Sequence, residues 1–198
     1  MLVAGVDGCR AGWIAFRVEL PSLVTSVKVI DLPALLSKRP PELACLGIDI
    51  PIGLLDGSRA CDREARRLLG KPRGTSVFAA PCREALIAKT HTEASAINRQ
   101  KTGRGLSLQS FHIGPKIKQV DDAITPETQQ WALEVHPEVC FWAMNGERPL
   151  ENNKKTQKMG ARREIRSVFL KSGTTSATDH QESPRTICWT RQRQRGRR

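Results

Sequence analysis

Three apolar runs of strand length follow one another at the start of the chain, at residues 2–6, 13–20 and 24–30. Short turns that contain glycine or proline join them, which is the pattern of an antiparallel meander. A short helix is predicted at 31–37, and another apolar run returns at 43–50. A meander followed by a helix and a returning strand predicts an α/β fold with a mixed sheet.

Two aspartates lie in these apolar runs. Asp7 ends the first run and is followed at once by Gly8, whereas Asp49 stands between Ile48 and Ile50 in the fourth. An ionised group inside a strand is costly to bury unless something compensates its charge. A metal ion shared by both carboxylates would do so. The alternative is that each aspartate caps a turn or accepts backbone N–H groups, since Asp-Gly is a common turn sequence.

The pattern changes after the fourth run. Residues 53–122 lack the alternation of strands and are predicted to form a helical insertion, with helices at 59–69 and 81–100. A strand is predicted at 131–135, and a helix with a basic face at 161–171. A further short helix is predicted at 137–144, where Pro137 suits its first turn.

The formal charge of +12 is concentrated at the end of the chain. Residues 151–198 contain thirteen Lys and Arg residues against four acidic ones, which leaves residues 1–150 with a net charge of only +3. The charge therefore says little about partners of the globular part. No run is apolar and long enough to span a bilayer, so no membrane partner is expected. The cysteines are scattered without metal-ligand spacing, which favours the reducing cytoplasm.

Six segments occur in an order that resembles a known family. They are VAGVDGCRAGW (3–13), LGIDIPIGL (46–54), CDREARRLLG (61–70), SVFAAPCREAL (76–86), GLSLQSFHIGPKIKQVD (105–121) and EVHPEVCFWAMNG (134–146). Together they resemble domain-of-unknown-function family 429, a family of predicted ribonuclease H-like nucleases. The resemblance covers residues 3–170 and implies one domain over 1–170. It also implies a ribonuclease H-like mixed five-stranded sheet of order 3-2-1-4-5, with flanking helices.

The resemblance also implies a metal site. Asp7 and Asp49 would lie on neighbouring strands and bind Mg²⁺ or Mn²⁺, which prefer hard oxygen ligands. Glu134 is a candidate third carboxylate, with a surface glutamate at a strand end as the alternative. Two such ions can activate water and stabilise the leaving oxygen in phosphodiester cleavage. The implied activity is that of a metal-dependent nuclease, and nucleic acid is the implied partner.

Further polar residues of the matching segments are candidates for binding the substrate. Most hydrogen bonds to nucleic acids go to the backbone, so cationic and amide side chains are the expected contacts. A solvated basic face is the alternative for each arginine, whereas Lys116 stands in an apolar setting. The candidates are Arg66, Arg73, Arg83, Ser107, Gln109, Lys116 and His136. His136 and Glu138, on either side of Pro137, are also candidates to act near the metal.

The C-terminus departs from the family pattern. Family members end in an acidic helix resembling DDLLDALAAAWTA, whereas this chain ends in SGTTSATDHQESPRTICWTRQRQRGRR. When residues 185–198 are translated back into codons and these codons are read in a shifted frame, they can encode that acidic helix. We therefore predict that residues 171–198 are a frameshifted basic tail, disordered and aberrant, and that this copy is unstable or inactive. The nucleotide sequence decides the question.

Two other functions stay open from the sequence. A non-catalytic module that binds nucleic acid or nucleotide would keep the fold without a complete carboxylate set. ATP-dependent phosphoryl transfer is the other, because actin-like and sugar-kinase domains share this strand topology and the Asp-Gly turn. Those proteins need two such domains around a cleft, and the chain has room for one. The sequence leaves the oligomeric state open.

Overall fold

The structure, a computed structural model, describes residues 1–150. The predicted helix at 161–171 and the predicted tail at 171–198 lie outside the described residues. The strands are β1 (Leu2–Cys9), β2 (Gly12–Glu19), β3 (Val24–Ile30), β4 (Leu43–Ile48) and β5 (Ala132–Glu134). The α-helices are α1 (Leu32–Ser37), α2 (Ala60–Arg73), α3 (His91–Thr102), α4 (Leu108–Ala123) and α5 (Pro137–Met144).

The five strands form one mixed sheet in the order β3-β2-β1-β4-β5. β1 pairs antiparallel with β2, and β2 with β3, whereas β4 is parallel to both β1 and β5. This confirms the predicted α/β fold and the order 3-2-1-4-5. β1 extends three residues further than the apolar run that predicted it, because Asp7, Gly8 and Cys9 pair with the start of β2.

One face of the sheet carries the main hydrophobic core. Side chains alternate between the two faces of a strand, so alternate residues of β1 and of the first half of β2 point into this core. Leu2, Val6 and Trp13 are buried there. They belong to one cluster with Ile117 and Val120 of α4, and α1 adds Leu32 and Leu36. We call this the core face of the sheet.

Of the helices between β4 and β5, the one predicted at 59–69 is confirmed as α2, whereas the others differ from the prediction. The helix predicted at 81–100 is two elements, a 3-10 helix at Arg83–Ile87 and the separate helix α3. The break has a local cause, because the Thr90 side chain accepts the Glu93 N–H at 3.2 Å and starts a new helix. α4 was not predicted. It starts at Ser107, whose hydroxyl accepts the Ser110 N–H at 3.1 Å.

The described chain divides into two compact units. The first comprises Met1–Ser58 and Ala79–His136 and contains the whole sheet. The second comprises, within the described residues, Arg59–Phe78 and residues 137–150. Its hydrophobic cluster joins α2 to α5 and consists of Ala65, Leu69, Val77 and Trp142. Within residues 1–150, no helix has the length and apolar character needed to cross a membrane.

Candidate functional site

Asp7 and Asp49 occupy matching positions at the carboxyl ends of two neighbouring parallel strands. Val6 of β1 pairs with Ile48 of β4, and the Asp49 N–H donates to the Val6 carbonyl at 3.0 Å. Each aspartate is the next residue after this pair. Because the strands run parallel, their carboxyl ends meet at one edge of the sheet. The register therefore brings the two aspartates side by side.

The two carboxylates lie on the face of the sheet opposite the core. Val6 and Ile48 point into the core, so alternation puts their successors on the other face. Asp7 is exposed and Asp49 is half-buried. The sequence predicted that the ionised Asp7 would be buried, and this prediction is wrong. Asp7 also accepts the N–H of Gly8 at 2.6 Å, which is the turn interaction that the sequence left open as an alternative.

Glu134 lies on the next strand but at a different level. It pairs with Ile48 in the β4–β5 ladder, one residue before Asp49, so alternation puts it on the core face. Its carboxylate accepts the Ile52 N–H at 2.8 Å and thereby ties the segment after β4 to β5. Among residues 1–150, no three His, Cys, Asp or Glu side chains are grouped to hold a metal ion. Glu134 as a third ligand stays a prediction.

Two glycines lie beside the aspartates on the same face. Gly5 and Gly47 pair with each other, two residues before Asp7 and Asp49 respectively. A Cβ added to Gly5 would meet no atom of residues 1–150 within 4 Å, so this part of the chain leaves the surface in front of Asp7 open. A Cβ on Gly47 would lie 3.1 Å from a methyl group of Val135. Both aspartates therefore share a Gly-x-Asp spacing, which is a local sequence signal for this pair.

Lys116 reaches the turn next to Asp7 from α4. Its ammonium donates to the Gly12 carbonyl and lies 4.7 Å from the centre of the Trp13 ring. Its Cδ lies 2.5 Å from where a Cβ on Gly8 would stand, so the lysine stem occupies the space that this glycine leaves. The apolar setting predicted for Lys116 is explained by this packing, which joins α4 to the β1–β2 turn.

The three candidate arginines all bond within the chain. Arg83 donates to Asp121 at 2.8 and 3.1 Å, and this hydrogen-bonded partner raises the pKa of Arg83 above its ordinary value. Arg66 donates to the Val77 carbonyl at 2.8 Å. Arg73 is buried, at 5% exposure, and donates to the Leu150 carbonyl at 2.9 Å. Burial of Arg73 argues against its direct contact with phosphate, whereas Arg83 lies at the surface.

The remaining candidates divide into structural and accessible residues. Glu138 is buried in the second unit with Arg73, 3.7 Å from its guanidinium, and Ser107 caps α4. Gln109 is exposed on the first turn of α4. His136 is half-buried, two residues after Glu134. The exposed candidates for contact with a substrate are therefore Ser107, Gln109 and Arg83.

Comparison with known proteins supplies the family. A family model described as a protein of unknown function, DUF429, matches residues 5–195. The chain belongs to the DUF429 family. No curated protein and no solved structure matches it. The DUF429 match includes Asp7, Asp49 and Glu134, and it extends to residue 195, past residue 170 where the resemblance was expected to end. The frameshift stays a prediction for the nucleotide sequence.

Proposed function

We propose that this DUF429 protein is a metal-dependent phosphodiester hydrolase of the nuclease type, with Asp7 and Asp49 holding Mg²⁺ or Mn²⁺. The observation that carries the proposal is the register of β1 and β4. It places two carboxylates side by side at the carboxyl ends of neighbouring parallel strands. Ligands of open α/β sheets bind outside such strand ends.

The donor atoms suit the proposed cation. Carboxylate oxygens are hard ligands, and Mg²⁺ keeps several waters, so two carboxylates from the chain are a sufficient anchor. The Asp7 carboxylate accepts one bond from Gly8 and has about four lone-pair positions, so it retains capacity for a cation. When bound, the cation would lower the pKa of a water molecule and stabilise charge on the phosphodiester oxygens.

The chain's own residues would position and expose this site. Asp7 and Asp49 attract and orient the cation, and their adjacent negative charges favour a divalent one. Glu134 acts as a positioning residue, because its bond to the Ile52 N–H holds the segment that follows Asp49. The open surface in front of Gly5 leaves room for a substrate to approach Asp7.

Cleavage assays with matched variants test the proposal. In a version of the chain whose C-terminal reading frame is restored, we expect Mg²⁺- or Mn²⁺-dependent cleavage of branched or RNA–DNA hybrid substrates, with a loss of at least about a hundredfold in Asp7→Asn and in Asp49→Asn. Asp122→Asn is the control, because Asp122 is an exposed aspartate of α4 whose ion-pair partner, Lys118, belongs to the same helix. Equal cleavage by all three variants, or cleavage without a divalent cation, would reject the proposal.

A non-catalytic module that binds nucleic acid is the second candidate. It is supported by the small number of potential metal ligands that lie together, since residues 1–150 contain no group of three such side chains. This candidate predicts binding of RNA or DNA that needs no divalent cation and that is unchanged in Asp7→Asn and Asp49→Asn. Filter binding at several salt concentrations, with the same three variants, separates it from the hydrolase.

We place this activity in the cytoplasm. The support is the chemical state of three cysteines, since Cys9, Cys45 and Cys82 have free thiols. Thiols persist in reducing compartments, whereas secreted proteins commonly pair them. Fractionation of cells that express the protein, followed by immunoblotting, tests this location.

A further inference from the structure

The hairpin of β2 and β3 concentrates the exposed apolar side chains of the described chain. Six of the eleven large hydrophobic residues that are exposed belong to it. They are Ile14, Phe16, Leu23, Val24, Val27 and Val29. Contiguous apolar surface of this kind commonly marks an interface with another molecule.

β3 is the most exposed part of this hairpin. It is an edge strand, and every residue from Val24 to Val29 is exposed. Its apolar residues occupy both faces, with Val24 on one side and Val27 and Val29 on the other, each between 57% and 59% exposed. An edge strand also presents backbone N–H and C=O groups that can pair with another strand. Lys28 is its single charged residue.

We propose that β3 pairs antiparallel with β3 of a second copy of this chain, about a two-fold axis that lies midway between Val27 and the partner's Val27. This inference is independent of the proposed hydrolase activity. The strand has seven residues, and Val27 is the fourth, so this axis pairs the whole strand. An axis at any other residue leaves part of the strand unpaired. Such a contact is isologous, because the same surface is used by both copies.

The residues of β3 are complementary to themselves in this register. Val24 stands opposite the partner's Ile30, and Thr25 opposite the partner's Val29. Lys28 stands opposite the partner's Ser26, so the only charged residue never faces its own copy directly. Pairs of β-branched side chains stabilise neighbouring strands, and directly opposed like charges destabilise them. The sequence VTSVKVI therefore suits pairing with a second copy.

The dimer would leave the aspartate site accessible. Asp7 lies on β1, and β2 separates that strand from β3. Pairing of the two β3 edges would join the sheets of the two copies into a single sheet of ten strands. Its order would be β5-β4-β1-β2-β3 in one copy, followed by β3-β2-β1-β4-β5 in the other. The sheet would then present two aspartate pairs on the same continuous surface. An elongated nucleic acid could contact both.

Charge variants at position 26 test the pairing in the full chain, by sedimentation velocity over a range of concentrations. The unmodified chain is expected to be a monomer–dimer mixture. Ser26→Lys puts a lysine opposite Lys28 twice per dimer, so we expect the dissociation constant to rise about tenfold. Ser26→Lys combined with Lys28→Glu replaces both repulsions by attractions and should restore the dimer. Far-UV circular dichroism confirms that each variant is folded.

Phe16→Lys is the control for association through the sheet face instead of the edge. Phe16 is an exposed apolar residue on β2, 51% exposed and one strand away from the edge. We expect this variant to leave the dissociation constant unchanged. The proposal is overturned by a monomer at all concentrations, by a double variant as weak as Ser26→Lys, or by a dimer that only Phe16→Lys disrupts.

Discussion

The two faces of the sheet are built from the same strands but have opposite roles. On the core face, Val6 and Trp13 are buried against α4. On the other face, which we call the open face, Gly5 and Asp7 of β1 stand beside Phe16 of β2, and all three are exposed. Strand alternation alone separates these sets. The comparison teaches that an aspartate inside an apolar strand need not be buried, because its face decides its environment.

The largest expected effect lies on the core face. Leu46→Ala removes a side chain that is 0% exposed, and we expect a loss of about 2–5 kcal/mol in the free energy of unfolding. Leu133→Ala, on the neighbouring strand and 40% exposed, should cost about 0.5 kcal/mol. Urea denaturation measures both. Equal losses of unfolding free energy would show that side chains on the two faces of the sheet are buried to the same extent.

Metal binding by the two aspartates of the open face should stabilise the folded chain. At a Mg²⁺ concentration one hundred times the dissociation constant, a single site adds about 2.7 kcal/mol to the free energy of unfolding. Asp7→Asn and Asp49→Asn should lose this gain. Without a divalent cation they should be at least as stable as the unmodified chain, because one of two neighbouring like charges is removed. Thermal melting with Mg²⁺ or with EDTA measures both results, and a metal shift that survives in both variants would contradict this assignment.

Alanine substitutions of two glycines of β1 compare the two faces again, with a smaller expected change in the free energy of unfolding. Gly8→Ala places a methyl group 2.5 Å from the Lys116 Cδ, and we expect it to cost about 1–3 kcal/mol. Gly5→Ala, where the open face leaves space, should be close to neutral. Chemical denaturation of each variant gives the values. Combination of Gly8→Ala with Lys116→Ala should recover part of the loss, and no recovery would show that the strain has another origin.

The smallest expected effect concerns the surface pair of Arg83 and Asp121. Asp121→Asn should cost about 0.2–1 kcal/mol, because the Arg83 side chain is 55% exposed and solvent can therefore screen its ion pair with the less exposed Asp121. The partner raises the pKa of Arg83 above its unfolded value, so this stabilisation is fully present below the unfolded pKa. It is lost only as the pH rises through the folded pKa, in strongly alkaline solution. Denaturation at neutral pH, in low and high salt, checks the size, and a loss that salt leaves unchanged would argue against a Coulombic origin.

Much of the sheet could be predicted because its signals are local. The runs at 24–30 and 43–50 were predicted within two residues of the observed strands, since alternation and turn residues act over short distances. α4 was missed. It contains Pro115, and its apolar residues are interrupted by polar ones that packing against the sheet still accommodates. The helix predicted at 81–100 was wrong as one element, because the Thr90 cap divides it from the preceding turn.

The candidate site was predictable in part. The sequence indicated Asp7 and Asp49, and the β1–β4 register places them together. The roles of Lys116 and Arg73 could not be predicted, because their partners are distant along the chain. Lys116 bonds to Gly12, and Arg73 bonds to Leu150. A cationic side chain carries no local sign of whether it will meet a carbonyl of its own chain or a ligand.

By itself, the sequence determined where most of the strands run and that Asp7 and Asp49 stand at the ends of two of the apolar runs. These properties depend on the alternation of neighbouring residues and on turns of a few residues. Only the tertiary structure decided which face of the sheet α1 and α4 would cover. It thereby decided that Asp7 would face solvent and that Glu134 would bind a backbone N–H. The physical reason is that the burial and the hydrogen-bond partners of a side chain depend on contacts between distant segments.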